Sequence, residues 1–162
     1  MKPIGLGNPK AKIVVFIANR PPLDEFAELI DMRAIRENEI SQIVTLTGNH
    51  WRKIFNCYAK LVFELDPQGE LSWQKLRDNQ LLTQSSQQAL LFSAPNLSQT
   101  KTIKIICGKS YFKQLALNID VDWLDDYFAI NRQQNLIVSP YFDYRQLSNA
   151  RIEQLVSLIK GF

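Results

Sequence analysis

The chain has 162 residues, 46% hydrophobic and 22% charged, which is the size and composition of one ordinary globular domain, so we treat 1–162 as a single unit and exclude disorder. Nineteen Lys and Arg against sixteen Asp and Glu give a formal charge of +3, which permits a polyanionic partner without requiring one. No run approaches the eighteen apolar residues a membrane span needs, and Met1 to Asn8 lack the apolar core of a secretion signal. Cys57 and Cys107 stand far apart in apolar settings, so buried free thiols and a cytoplasmic location are expected.

In chain order, Ile13 to Ala18 is an uninterrupted apolar run, the pattern of a strand covered on both faces. Pro21 and Pro22 end it, since neither has a backbone N–H to continue a ladder. Leu23, Phe26, Ala27, Ile30 and Ala34 then follow helical spacing, predicting a helix over about 23–37. Ser41 to Leu46 reads as strand or loop, and Asn49 is positioned to cap the next helix. Trp51, Ile54, Phe55, Tyr58, Leu61, Val62 and Leu65 give the clearest amphipathic helix in the chain. Leu71 to Leu82 is helical again with Ser72 as a cap, and Thr83 to Gln88 is a polar connection.

Ala89 to Ala94 is a second apolar strand, stopped by Pro95 and Asn96. Thr102 to Cys107 is a third, which Gly108-Lys109-Ser110 turns into a helix carrying Tyr111, Phe112 and Leu115. The segment 118–131 mixes four aspartates with Trp123, Leu124, Tyr127 and Phe128 and receives no assignment. Asn135 to Ser139 is a fourth strand, broken by Pro140, and a last helix carries Ile152, Leu155, Val156 and Ile159 behind a cap at Ser148 or Asn149. Strands alternating with helices in this way predict a three-layer α/β/α sandwich around a mainly parallel four-stranded sheet.

In such a sheet the carboxyl ends of the strands share one edge, where ligands bind. The polar groups there are Asn19 and Arg20, Ser93 and Asn96, Gly108 and Lys109, and Ser139 with Arg145. Gly108-Lys109-Ser110 lacks the earlier glycine of a phosphate loop, and the Gly5-Leu6-Gly7 pattern precedes its strand instead of following it. His50 is the only histidine and has no second ligand beside it, so no metal and no cofactor are expected. Asp120, Asp122, Asp125 and Asp126 lack calcium-loop spacing and read as a solvated acidic face.

Val14-Val15-Phe16-Ile17-Ala18-Asn19-Arg20-Pro21-Pro22-Leu23, Gly48-Asn49-His50-Trp51, Ile105-Ile106-Cys107-Gly108-Lys109 and Ile137-Val138-Ser139-Pro140 occur in an order that resembles the uracil-DNA glycosylase superfamily, most closely its mismatch-specific thymine/uracil branch. The resemblance implies a uracil-DNA-glycosylase-like α/β fold, a flipped nucleobase in the strand-end pocket and DNA or a nucleotide as partner. It also implies departures. Where that branch has the asparagine that positions the attacking water this chain has Arg20, with Asn19 one residue early, and Pro22 replaces the glycine that approaches the base. The implied role is binding without efficient glycosidic cleavage. An active enzyme using Asp24 or Asn19 to orient water, and a protein-interaction domain keeping only the fold, are the alternatives. Asn19, Arg20, Asn49, His50, Ser93, Asn96, Ser139 and Arg145 are the candidate ligand contacts, and Arg52, Lys53, Lys109 and Arg151 the candidate backbone contacts.

Overall fold

The computed structural model of the protein describes residues 2–99 and 101–162, so the part of the single-domain expectation that falls on Met1 and residue 100 lies outside the described residues. The elements in order are β1 (Gly5–Gly7), β2 (Ile13–Phe16), α1 (Asp24–Ala27), β3 (Met32–Arg33), α2 (Glu39–Thr47), α3 (Asn49–Leu65), α4 (Trp73–Asn79), β4 (Gln88–Leu91), β5 (Ile103–Cys107), α5 (Lys109–Leu115), β6 (Asp122–Trp123), β7 (Ala129–Asn131), β8 (Leu136–Ser139) and α6 (Asn149–Lys160). The fold is α/β. Its sheet has eight strands in the order β3-β1-β4-β2-β5-β8-β7-β6.

β4, β2, β5 and β8 run parallel to one another, with Val15 opposite Leu90 and Ile105, and Ile105 opposite Ile137. Pairing of β1 with β4, β7 with β8 and β6 with β7 is antiparallel. The expected four-stranded, mainly parallel sheet is therefore corrected to an eight-stranded mixed one. The extra strands are short: β1 comes from a glycine-rich stretch, β3 from the segment whose spacing predicts a helix, and β6 and β7 from the unassigned acidic segment, none of which carries a strand-like hydrophobic pattern.

Side chains alternate across the central strands. Val15, Leu90, Ile105 and Ile137 face a core completed by Ile43 of α2, Phe55 of α3, Leu76 of α4 and Leu155 of α6. Val14, Phe16, Ala89, Leu91, Ile106 and Val138 face the opposite side, where Tyr111, Phe112 and Leu115 of α5 pack. Tyr58 of α3 is fully buried, and its hydroxyl donates to the carbonyl oxygens of Ala89 (2.8 Å) and Ile13 (3.3 Å), pinning the longest helix to the amino ends of two central strands.

Three local expectations need correction. The helix expected over 23–37 is a single turn, α1, after which the chain runs to β3. Residues 41–46, read as strand or loop, lie inside α2, because Ile40 and Ile43 together with Glu39 supply a buried face. Asn49 does not cap α3; Gly48 holds that position at φ 92° and Asn49 is the first helical residue. Ser72 and Ser148 do cap, accepting from the backbone N–H of Lys75 and Arg151. Both cysteines are free and buried, and burial pushes the Cys57 thiol up to about 12. Among the described residues no helix is long and apolar enough to cross a membrane, and no cluster of His, Cys, Asp and Glu is arranged to hold a metal ion.

Candidate functional site

The chain leaves β2 toward β4 through helices on one sheet face, and leaves β5 toward β8 through α5 on the other. The crevice between the carboxyl ends of β2 and β5 is thus a topological switch point, the usual place for a ligand in an open α/β sheet. A cavity of about 400 Å³ occupies it, lined by Asn19 after β2, by Gly108, Lys109 and Ser110 after β5, and by Tyr141 after β8. An adjoining cavity of about 290 Å³ shares Lys109 and Tyr141 and adds Ser139, Arg145, Arg151 and Asp126.

At the centre of the cleft is Tyr141. Its hydroxyl lies 2.8 Å from His50 Nε2 and donates to Asn19 Oδ1 at 3.4 Å, so with that arrangement the histidine presents Nε2–H to the phenol oxygen. Burial, reinforced by the nearby Cys107 and Asp143, pushes the Tyr141 phenol above its ordinary value. It stays protonated and remains a donor at neutral pH. Three segments far apart in sequence meet at this one hydroxyl.

Around the cleft, cations lie over exposed aromatic rings. Lys109 Nζ is 4.6 Å from the Trp123 ring centre, Arg151 Cζ 3.6 Å from that of Tyr127, Arg145 Cζ 5.8 Å and Lys53 Nζ 4.9 Å from that of Tyr144. Trp123, Tyr127 and Tyr144 remain 40%, 43% and 53% exposed. Asp125 shapes the loop that carries two of these rings by accepting from the backbone N–H of Tyr127 (2.7 Å) and Phe128 (2.8 Å). Burial opposes its ionisation, but the hydrogen bonds from Gln154 and those two N–H groups, with the charge of Arg151, hold its carboxyl below the usual range. Asp143 brings a second carboxylate, paired with Lys53 at 3.6 Å and Arg145 at 3.7 Å. Its pKa is lowered, first by the backbone N–H of Arg145 and then by those two cations acting against burial.

The candidate residues thus divide. Asn19, His50, Lys109, Ser139, Arg145 and Arg151 gather at the cleft, although the Ser139 hydroxyl is buried and bonded to the Pro140 carbonyl at 2.9 Å. Asn49 sits beside His50 and accepts from Arg52 Nε at 3.2 Å, while Lys53 is engaged by Asp143. Ser93 and Asn96 go elsewhere: they line a separate cavity against β1 and β4. Asp24 is exposed on α1 and lines neither part of the cleft.

Arg20 is not a wall of this pocket. Its Nη1 lies 2.8, 3.1 and 2.9 Å from the carbonyl oxygens of Phe26, Ala27 and Leu29, closing the end of α1, and its guanidinium lies over Phe92. Nor does Arg20 form an ion pair with the nearby Asp24 or Glu25 among the described residues; Glu25 pairs with Arg33 at 3.5 Å. Hydrogen bonds to a charged donor contribute about 1.5–3 kcal/mol, so Arg20→Ala should lose about that much in a denaturant titration while leaving oligonucleotide affinity within about twofold.

The model of a family of unknown function, DUF6942, matches residues 4–160. The chain belongs to this family. No curated protein and no solved structure matches it. The match spans the residues of both the cleft and the sheet beneath it. Tyr141, Trp123, Tyr127 and Tyr144 are functional candidates that a reading of the sequence missed; the one signal was the presence of exposed-type aromatics among aspartates in a segment without periodicity.

Proposed function

We propose that this DUF6942 member binds unpaired nucleic acid, taking a nucleobase or nucleotide into the cleft beside Asn19 and Tyr141, without efficient glycosidic cleavage. The observation that carries this reading is the set of cation and aromatic pairs around the cleft. Each pair places a charge able to meet a phosphate next to a ring on which a base can stack, the combination by which single strands are held. Tyr141 and Asn19 would offer a hydroxyl and an amide to the polar edge of a base. The ordered motifs shared with the uracil-DNA glycosylases support a related architecture with a degenerate catalytic loop. The free, protonated thiols fit a reducing, cytoplasmic setting.

Cleavage would need a group that orients water. Asp24 lies outside the cleft and the Asn19 amide oxygen already accepts from Tyr141, which favours binding over hydrolysis. The test is fluorescence anisotropy with a labelled single-stranded DNA over a salt series. Affinity is expected to fall steeply with salt, and Tyr127→Ala or Trp123→Ala to weaken it about 5- to 100-fold, the effect of losing one base stack. Absent or salt-independent binding would overturn the reading. Release of uracil from a uracil-containing strand at protein excess would replace it with the active-enzyme alternative.

A further inference from the structure

On the sheet face opposite the four-helix layer, α5 packs beside β5 and β8. Over β1, β4 and β2 the same face opens into a second cavity, of about 360 Å³, that shares no lining residue with the strand-end cleft. Its floor is apolar: Ala11, Val14, Phe16, Met32, Ala89 and Leu91. Alanines at two of these positions leave room that larger side chains would fill. The rim is polar and basic, with Asn8, Asn96 and Gln99 beside Lys2 and Lys10, and none of the described lining residues is acidic.

The two lysines differ. Lys2 is held by Asp31 at 3.0 Å, whereas Lys10 is exposed and forms no ion pair among the described residues. The wall is built as well. Lys104, buried and facing the same side of the sheet, donates to the carbonyl oxygens of Gln99, Thr102 (3.3 Å) and Gln134 (2.8 Å), which fixes the loop that closes the cavity. A concave volume of this size, an apolar floor and a few polar groups at the mouth are the features of a small-molecule site.

We propose that this cavity binds an amphipathic carboxylate, its apolar body lying on Val14, Phe16 and Leu91 and its anionic head meeting Lys10. The site is independent of the nucleic-acid cleft and goes beyond it.

Isothermal titration with dodecanoate, below its aggregation concentration, tests this. One saturable site per chain is expected. Ala94→Trp, at an exposed position on the mouth, should abolish it, and Lys10→Glu should weaken it about tenfold through charge reversal at the head group. Both substitutions lie on the surface, and unchanged circular dichroism and unchanged single-stranded DNA anisotropy confirm that fold and cleft are intact. No saturable binding, binding that survives Ala94→Trp, or equal affinity for dodecan-1-ol would overturn the proposal.

Discussion

Gly5→Ala is expected to be among the most damaging single-methyl substitutions in the chain, alongside Gly7→Ala, where a Cβ would meet the Gln88 carbonyl oxygen and the backbone lies at φ 106°. Gly5 is buried in β1, where the strand pairs with β4 and Gly5 stands opposite Leu91. A Cβ at this position collides with the Leu90 carbonyl oxygen and comes within 2.7 Å of Leu91 Cα, both of them backbone atoms that cannot swing aside. Overpacking against movable side chains costs about 1–3 kcal/mol, and against backbone the upper end or beyond applies. For a chain of this length, about 3 kcal/mol corresponds to a melting temperature lower by about 6–12 °C. Gly48→Ala is the control. Gly48 has φ 92° and ψ −159°, a region open only to glycine, but free space around it, so only the backbone conformation is penalised, by about 1–3 kcal/mol. Equal losses at the two positions would show that close packing of β1 on β4 is not what requires Gly5.

Tyr58→Ala should cost about 3–5 kcal/mol, the range for deleting a buried aromatic ring, and lower the denaturation midpoint in urea accordingly. The ring is fully buried, lies edge-on to Phe142 at 5.9 Å, and carries the hydroxyl that bonds Ala89 and Ile13. Tyr58→Phe keeps the ring and leaves the Ala89 carbonyl without that donor, so it should cost about 1–3 kcal/mol by itself. The difference between the two variants separates packing from hydrogen bonding. Burial also pushes the Tyr58 phenol well above its ordinary value. The folded state therefore keeps the proton that an unfolded chain releases near pH 10, and the contribution of Tyr58 to stability should be flat below that pH and be lost as pH rises past it. Tyr58→Phe should flatten part of that alkaline decline. An unchanged alkaline limb would exclude Tyr58 as its source.

The parts of the fold that were legible in the sequence are those in which a single physical signal dominates. The face of α3 could be read because Ile54, Phe55, Tyr58, Leu61 and Val62 repeat at helical spacing and are all buried. The central strands could be read because both of their faces are covered, which leaves mostly apolar runs, broken in β5 only by the buried Lys104. The edges were not legible. β1 depends on glycine for close approach to β4, and β6 has only the exposed Asp122 and Trp123.

Arg20 shows why the site was harder to read than the fold. Its position in the strand-end loop was read correctly, but side-chain direction decides its role, and the carbonyl groups at the end of α1 draw the guanidinium away from the cleft. Ser93 and Asn96 follow a strand end in sequence, yet their loop turns back onto the sheet face. Asn19, His50 and Tyr141 converge only through tertiary structure, because 122 residues separate the first and last of them. No local pattern encodes that meeting.

The place of β1 between β3 and β4 also fixes an order of events when the chain is made. Gly5, Leu6 and Gly7 pair with Leu91, Leu90 and Ala89, so β1 cannot find its antiparallel neighbour until the chain has been made through β4. Meanwhile β2 also awaits both of its partners, β4 and β5, with apolar surface unpaired. Such long-range pairing places this chain among slow folders, with rates set by loop closure more than by helix formation. Until those partners are made, the N-terminal half carries unpaired strand edges, the feature that makes folding intermediates prone to misassociate.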